Sequence, residues 1–98
     1  MSQQALGVID GLLEKVQPAL QNNPALLSSY VDVLLLKVEV VVSGEQAGTI
    51  DSVKLLNVLD QIEKYSYHFE PRLLKSSTRF AKEVRWALAL RGSIRENL

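Results

Sequence analysis

Few side chains in this 98-residue sequence could do chemistry, and they do not form a catalytic pattern. There is no cysteine, which excludes disulfides and thiolate metal sites. The one histidine, His68, lies in the aromatic segment 65–69, where it could act as a proton shuttle or contact a ligand. Metal and acid–base sites need several convergent groups, and the sequence places none beside His68. We therefore expect a packed connection there, no catalytic residue, no metal, no cofactor, and a protein that is not an enzyme.

Charge is unevenly distributed along the chain, although 11 Lys+Arg balance 11 Asp+Glu. Residues 70–98 hold 7 basic and 3 acidic side chains, a net charge of +4, and residues 1–69 hold 4 basic and 8 acidic ones, a net charge of −4. Such an asymmetry can mark a binding face. The carboxylates of Asp60 and Glu63, three residues apart on a predicted helix, are expected to form a solvated surface with Lys64.

The basic segment that follows Pro71 is the strongest candidate for a functional surface. On one continuous helix its first five cations fall within an arc of roughly 140°. Trp86 lies among them, away from Phe80 and Val84, and Trp and Arg are the residue types that dominate interface hot spots. If another helix covers Trp86 instead, the basic arc is merely solvated. The predicted partner-binding residues are Arg72, Lys75, Arg79, Lys82, Arg85, Trp86 and Leu90.

Two kinds of partner fit this helix, an acidic protein surface and a nucleic-acid backbone. The net acidic remainder of the chain and the lack of a recognised reader motif favour a protein or a second copy of the chain. We expect a non-catalytic interaction module, a small scaffold or adaptor subunit of a larger assembly, that binds through the basic helix 72–91. The alternative is a nucleic-acid-binding helical domain that uses the same helix.

Apolar spacing predicts four helices that would position this surface. They cover residues 4–17, 23–42, 50–64 and 71–91. Pro18 ends the first helix, Asn23 and Thr49 are the expected N-caps of the second and third, and Gly92 stops the fourth. The polar residues 76–78 could break the fourth helix into two pieces.

The second helix is unusually apolar, and its β-branched half, residues 31–42, could also be read as a strand. The polar residues 28, 32, 39 and 43 are spaced by 4, 7 and 4, which favours a helix with one narrow polar stripe. Such a helix is usually buried, so we expect Leu34, Leu35 and Val38 in the core. Its remaining apolar surface predicts a homo-oligomer or an obligate partner. The predicted fold is all-α, a compact bundle of four helices in a single domain, residues 1–98.

Nothing in the sequence indicates a membrane protein. The longest apolar stretch, residues 30–42, is too short to span a bilayer and is interrupted by Asp32, Lys37 and Glu39. The first four residues lack the basic region of a signal peptide. We expect an intracellular, cytoplasmic protein without a membrane partner.

Several stretches of the second half resemble a known family. They are residues 49–54 (TIDSVK), residues 55–64 (LLNVLDQIEK), Glu70-Pro71-Arg72, residues 82–85 (KEVR) and Arg91. Over these about 45 residues the chain resembles the N-terminal helical region of a PCI-type lid subunit of the proteasome regulatory particle. The resemblance implies a scaffold role with no catalytic residues. The N-terminal half has no counterpart in it, and the sequence holds neither the helical repeats nor the winged-helix module that define such subunits.

Overall fold

The computed structural model describes residues 2–43 and 52–97, and these residues form helices and short connections without a strand. The helices are α1 (Ser2–Val16), α2 (Leu27–Ser43), α3 (Ser52–Ser66), α4 (Pro71–Leu74) and α5 (Arg79–Glu96), with 3-10 segments at Gln17–Gln21 and Pro24–Leu26. The predicted all-α class is confirmed. The expected N-cap Thr49 lies outside the described residues. None of the described helices is long and apolar enough to cross a membrane.

Contacts divide the chain into two compact units, Met1–Ile50 and Asp51–Leu98. The first unit holds 2 basic and 5 acidic residues, a net charge of −3, and the second holds 9 basic and 6 acidic residues, a net charge of +3. The excess of negative charge therefore lies in the first unit and the excess of positive charge in the second. That residues 1–98 form a single domain stays a prediction.

In the first unit, α1 packs against α2. Helix α1 ends at Val16 because Pro18 follows, and the chain continues as the 3-10 segment in which Pro18 occupies one of the first positions. Asn23 precedes the second 3-10 segment, as expected for the start of a helix, but its side chain makes no capping hydrogen bond. Pro18, near the start of the first 3-10 segment, and Pro24, at the start of the second, thus set the turn that brings α2 back against α1.

Helix α2 supplies most of the buried side chains of the first unit, and the helical rather than the strand interpretation of this segment is confirmed. Its buried residues are Tyr30, Val31, Leu34, Leu35, Val38 and Val41. The stripe formed by Ser28, Asp32, Glu39 and Ser43 is exposed, as the polar spacing predicts. The burial of Leu34, Leu35 and Val38 agrees with the sequence prediction.

Lys37 is the one cation on α2, and α1 supplies its partner. Its ammonium nitrogen lies 2.6 Å from Oδ1 of Asp10. Only 14% of the Lys37 side chain is exposed, so most of its hydrocarbon stem is packed against protein and the Asp10 carboxylate holds the ammonium group. The ion pair ties α1 to α2 beside the apolar contacts of the two helices.

In the second unit, α5 packs against α3 and α4. Leu55, Leu59 and Ile62 of α3 are buried, as their spacing predicts. Phe69, in the connection that follows α3, meets Phe80 of α5 edge to face, with ring centroids 5.4 Å apart. This aromatic contact joins the connection to α5.

The predicted fourth helix is divided in two. Helix α4 ends at Leu74, and Thr78 is the N-cap of α5, where its Oγ1 accepts a hydrogen bond from the backbone N–H of Ala81 at 3.2 Å. The polar segment 76–78 causes this break, because Ser and Thr side chains bond the backbone in place of the helix. The expectation of one continuous basic helix over residues 72–91 is therefore wrong, and the alternative, a break at residues 76–78, is confirmed.

The predicted stop at Gly92 is also wrong, because α5 continues through Gly92 to Glu96. A glycine inside a helix costs only about 1 kcal/mol against alanine, which neighbouring interactions can offset. Arg91 and Arg95, on either side of Gly92, bind carboxylates of α3 and hold these last turns in place.

Candidate functional site

Helix α5 has two faces of different character. Ala81, Val84 and Ala87 on one face are completely buried. On the other face the aromatic residue Trp86 is 45% exposed, although apolar side chains of this size are usually buried. We call the surface formed by Arg79, Lys82, Trp86 and Leu90 the Trp86 face.

The exposure of Trp86 follows from its position on the helix. At about 100° per residue, Trp86 lies about 160° around α5 from Val84 and cannot share its core contacts. Lys82 precedes Trp86 by one turn, and Leu90, which is half-buried, follows it by one turn. The predicted partial exposure of Trp86 is thus confirmed. The Trp86 face thus has the aromatic Trp86 at its centre and the cations Arg79 and Lys82 at its edge.

Arg79 lies at the first position of α5, on the edge of the Trp86 face. Its Nε donates a hydrogen bond to Oε1 of Glu83 at 2.7 Å, one turn further along the helix. The arginine side chain remains almost fully exposed, so this is a surface ion pair of the kind that contributes little to stability. Arg79 therefore stays accessible at the edge, with its charge partly compensated.

Arg85 has a structural role that the sequence pattern does not reveal. Its Nη1 donates hydrogen bonds to the backbone oxygens of Leu74, at 2.6 Å, and of Ser76, at 2.9 Å. The last carbonyls of a helix lack partners within the helix, and a cationic side chain often supplies them. Arg85 thus caps the end of α4 and connects α4 to α5. Its guanidinium is aimed at this end rather than at the Trp86 face.

Arg72 and Lys75 do not belong to the Trp86 face. Arg72 lies on α4, Lys75 is the residue at its C-terminal end, and both are exposed. The predicted arc of five cations required one continuous helix, and the break over residues 75–78 removes it. Of the predicted binding residues, the structure keeps Arg79, Lys82, Trp86 and Leu90 on one face of α5 and places Arg72 and Lys75 on or next to α4. Arg85 also lies on α5, but its side chain binds the end of α4.

A second charged cluster joins α3 to α5, and the sequence analysis missed it. Arg91 binds Oδ1 of Asp60 through Nε at 2.6 Å and Oε2 of Glu63 through Nη1 at 2.7 Å. Arg95 donates from Nη2 to both Asp60 carboxylate oxygens at 3.1 Å. The expectation that Asp60 and Glu63 form a solvated surface with Lys64 is therefore wrong. Lys64 lies instead over the ring of Tyr65.

The hydrogen bonds and charges of this cluster shift the pKa values of Asp60 and Arg91. The hydrogen bond from Arg91 is the main cause that lowers the pKa of Asp60, against a smaller opposing effect of desolvation, and Arg95 lowers it further. The hydrogen bond to Asp60 raises the pKa of Arg91 in turn. Both groups are charged at neutral pH and neutralise each other. This cluster stabilises helix packing and offers no unbalanced charge for a ligand.

His68 shows no arrangement suited to chemistry. It is exposed in the turn after α3, and its backbone N–H donates to the carbonyl oxygen of Tyr65 at 3.1 Å. Within residues 2–43 and 52–97, no group of three or more metal-ligating side chains comes together. The Trp86 face is consequently the better candidate for a functional surface.

No family model, no curated protein and no solved structure matches the chain. A function must therefore be inferred from the charge, exposure and contacts of the described residues. Within residues 52–97 of the second unit, Trp86 is one of four large apolar side chains that are exposed, with Val53, Tyr67 and Leu73. It shares one helix face with Arg79 and Lys82.

Proposed function

We propose that this protein is a non-catalytic interaction module, a small intracellular and cytoplasmic scaffold or adaptor subunit of a larger assembly, that binds an acidic protein surface through the Trp86 face. The main observation in support is that Trp86 is 45% exposed on a helix whose opposite face is completely buried. The helix therefore has its core contacts without Trp86. A large aromatic side chain left at the surface in this way is available to a partner.

The chemistry of the Trp86 face suits a protein interface. Burying apolar surface stabilises a complex by roughly 25 cal/mol per Å², and an indole offers a large rigid area for this purpose. Trp is among the residues that most often dominate binding energy when a partner surrounds them. Lys82 and Arg79 at the edge favour an acidic partner and would speed association with it.

The resemblance to the N-terminal helical region of a PCI-type lid subunit supports the same proposal. It concerns residues 49–91, which include the whole of α3 and most of α5. A scaffold subunit needs surfaces for neighbouring chains and no catalytic group. The Trp86 face is a surface of that kind.

Nucleic acid suits the described cations less well than the sequence alone indicates. Arg85 is bonded to backbone oxygens near α4, and Arg91 and Arg95 are bonded to carboxylates of α3. A phosphate backbone would have to compete with these internal partners. What remains beside Trp86 is a small basic edge rather than a continuous basic groove.

A capture experiment with matched variants tests the proposal. The wild-type protein, Trp86→Ala and Val53→Ala are used as baits in the same cell lysate, and the retained proteins are identified by mass spectrometry. Val53 is an exposed apolar residue of α3, so its replacement controls for the loss of apolar surface. We expect a set of proteins that wild type and Val53→Ala retain and Trp86→Ala loses.

Two results would contradict the proposal. One is that Trp86→Ala retains the same proteins as wild type. The other is tight binding of random-sequence duplex DNA that weakens steeply with salt and depends on Lys82, which would favour the nucleic-acid alternative.

A further inference from the structure

We propose that the groove between α1 and α2 receives the Trp86 face of a second copy of this chain. The inference rests on the proposed function, because the same Trp86 face does the binding, and it adds the identity of one partner. It also gives a role to an apolar surface of the first unit that the proposed function leaves unused.

The groove has a volume of about 160 Å³. Its lining is Leu12, Leu13, Val16, Leu26, Ser29, Tyr30 and Val33. Leu13 and Tyr30 are buried and form its inner wall, whereas Leu12 is exposed at its edge. Helices α1 and α2 thus enclose a small and nearly apolar concave surface, which suits one aromatic side chain better than a polar ligand.

The apolar surface extends beyond the groove on both helices. Val8 lies one turn before Leu12 on α1 and is exposed. Leu36 lies one turn after Val33 on α2 and is 48% exposed. Groove and flanking residues together make a contiguous apolar patch, and patches of this kind mark interaction sites.

The charge around the apolar patch indicates which kind of surface would bind there. Asp32 and Glu39 are exposed on α2, within one turn of Leu36 on either side, so acidic side chains flank the apolar patch on the α2 side, whereas the exposed Lys15 follows Leu12 by one turn on α1. The first unit carries a net charge of −3. A matching partner surface has an aromatic centre and a basic edge.

The Trp86 face of a second copy has that composition. Trp86 supplies the aromatic centre, and Lys82 and Arg79 supply the basic edge. The unit that presents it carries a net charge of +3, opposite to the unit that holds the groove. The two surfaces are therefore complementary in apolar character and in net charge.

This contact joins two different surfaces, so every copy contributes one groove and one Trp86 face. Such contacts close into a ring or extend into a filament. In either case, a copy with a damaged groove still has an intact Trp86 face, and a copy with a damaged Trp86 face still has an intact groove. One contact can therefore form between these two copies. A mixture of two defective variants should therefore form a dimer that neither variant forms alone.

The test is sedimentation equilibrium on the full-length chain. Leu12→Lys replaces an apolar side chain at the edge of the groove with a charged one, and Trp86→Ala removes the aromatic centre. Each variant alone should associate about 30-fold more weakly than wild type, the usual effect of losing an interface anchor. Their equimolar mixture should recover the dimer. Val53→Lys, the same kind of change at an exposed residue of α3, should associate as wild type does.

Folding is checked on the same samples by circular dichroism, and both altered residues are exposed, so native spectra are expected. Wild type that stays monomeric at millimolar concentration would overturn the inference. So would a mixture no more associated than its separate components. If either occurs while Trp86→Ala still loses the proteins that wild type captures, the second-copy inference fails and the proposed function stands. If Trp86→Ala changes neither association nor capture, both fail.

Discussion

The two units of the chain use charge in different ways. In the first unit, Lys37 and Asp10 form an ion pair beside an otherwise apolar helix contact, and Glu14, Asp32 and Glu39 lie at the surface. In the second unit, several arginines serve internal contacts. Arg91 and Arg95 hold α5 to α3, and Arg85 holds it to α4.

The comparison shows that the net charge of a segment is a poor measure of the charge it offers a partner. Residues 70–98 have an excess of four positive charges, but internal hydrogen bonds and ion pairs occupy several of these cations. The surface that remains near Trp86 is smaller and more apolar than the sequence indicates. This favours a protein partner over a phosphate backbone.

The apolar contact of the first unit should show the largest effect on stability. Leu35 is 2% exposed, so Leu35→Ala should lower the free energy of unfolding by about 2–5 kcal/mol, as large truncations in a core do. Its neighbour Leu36 is the matched control, since Leu36→Ala removes the same atoms from a half-exposed side chain and should cost less than about 1 kcal/mol. Urea unfolding followed by circular dichroism measures both. Equal losses in the two variants would place Leu35 outside the core.

The ion pair of the first unit should have an intermediate effect. Asp10→Asn leaves the largely buried Lys37 side chain without its carboxylate partner and should destabilise by about 1–3 kcal/mol, between the values for buried and for surface pairs. Adding Lys37→Met removes the unpaired charge and should recover most of the loss. Thermal unfolding of the single and double variants checks this. A single variant as stable as wild type would show that Lys37 does not depend on Asp10.

Replacing Asp60 in the second unit should cost less because Arg91 keeps the carboxylate of Glu63 as a partner. Asp60→Asn should cost about 1 kcal/mol at neutral pH. The pKa of Asp60 is lower in the folded state, so the unfolded state takes up the proton first, and this contribution is lost as the pH falls through and below about 3.9. The difference between wild type and Asp60→Asn should therefore shrink in acid. Stability curves of wild type and Asp60→Asn measured from pH 7 to pH 3 check this. A difference that stays constant down to pH 3 would contradict it.

A stabilising change should distinguish a continuous α5 from one that stops at Gly92. A Cβ atom added at Gly92 would meet no other atom within 4 Å. Gly92→Ala should therefore raise the free energy of unfolding by about 0.5–1 kcal/mol, because alanine loses less backbone entropy in a helix. Urea unfolding measures the gain. A loss of stability would mean that the chain departs from the helix at this residue.

Local patterns predicted most of the secondary structure. Apolar spacing identified the buried face of α3, the polar stripe identified α2 as a helix, and Pro18 marked the end of α1. The stop at Gly92 was wrong because a single glycine is a weak signal, and the arginines on either side of it have partners on α3.

The candidate site was only partly predictable for a related reason. The position of Trp86 on the helix predicted its exposure, because helical geometry alone separates it from Val84. The roles of Arg85 and Arg91 depend on atoms 9 to 31 residues away in the sequence, and no local spacing reveals them. The role of Arg85 depends on the break after α4, and the role of Arg91 depends on the packing of α3 against α5.

The central claim is that Trp86 serves binding and contributes little to folding, and Trp86→Ala tests it most directly. Unfolding and binding are measured on the same preparation, with Val84→Ala, at a fully buried position of the same helix, as the comparison. We predict that Trp86→Ala changes the free energy of unfolding by less than about 1 kcal/mol and weakens binding to its partner by about 2 kcal/mol or more. Val84→Ala should instead cost about 2 kcal/mol of stability. If stability collapses in Trp86→Ala while the folded fraction binds normally, Trp86 is a core residue and the account is contradicted.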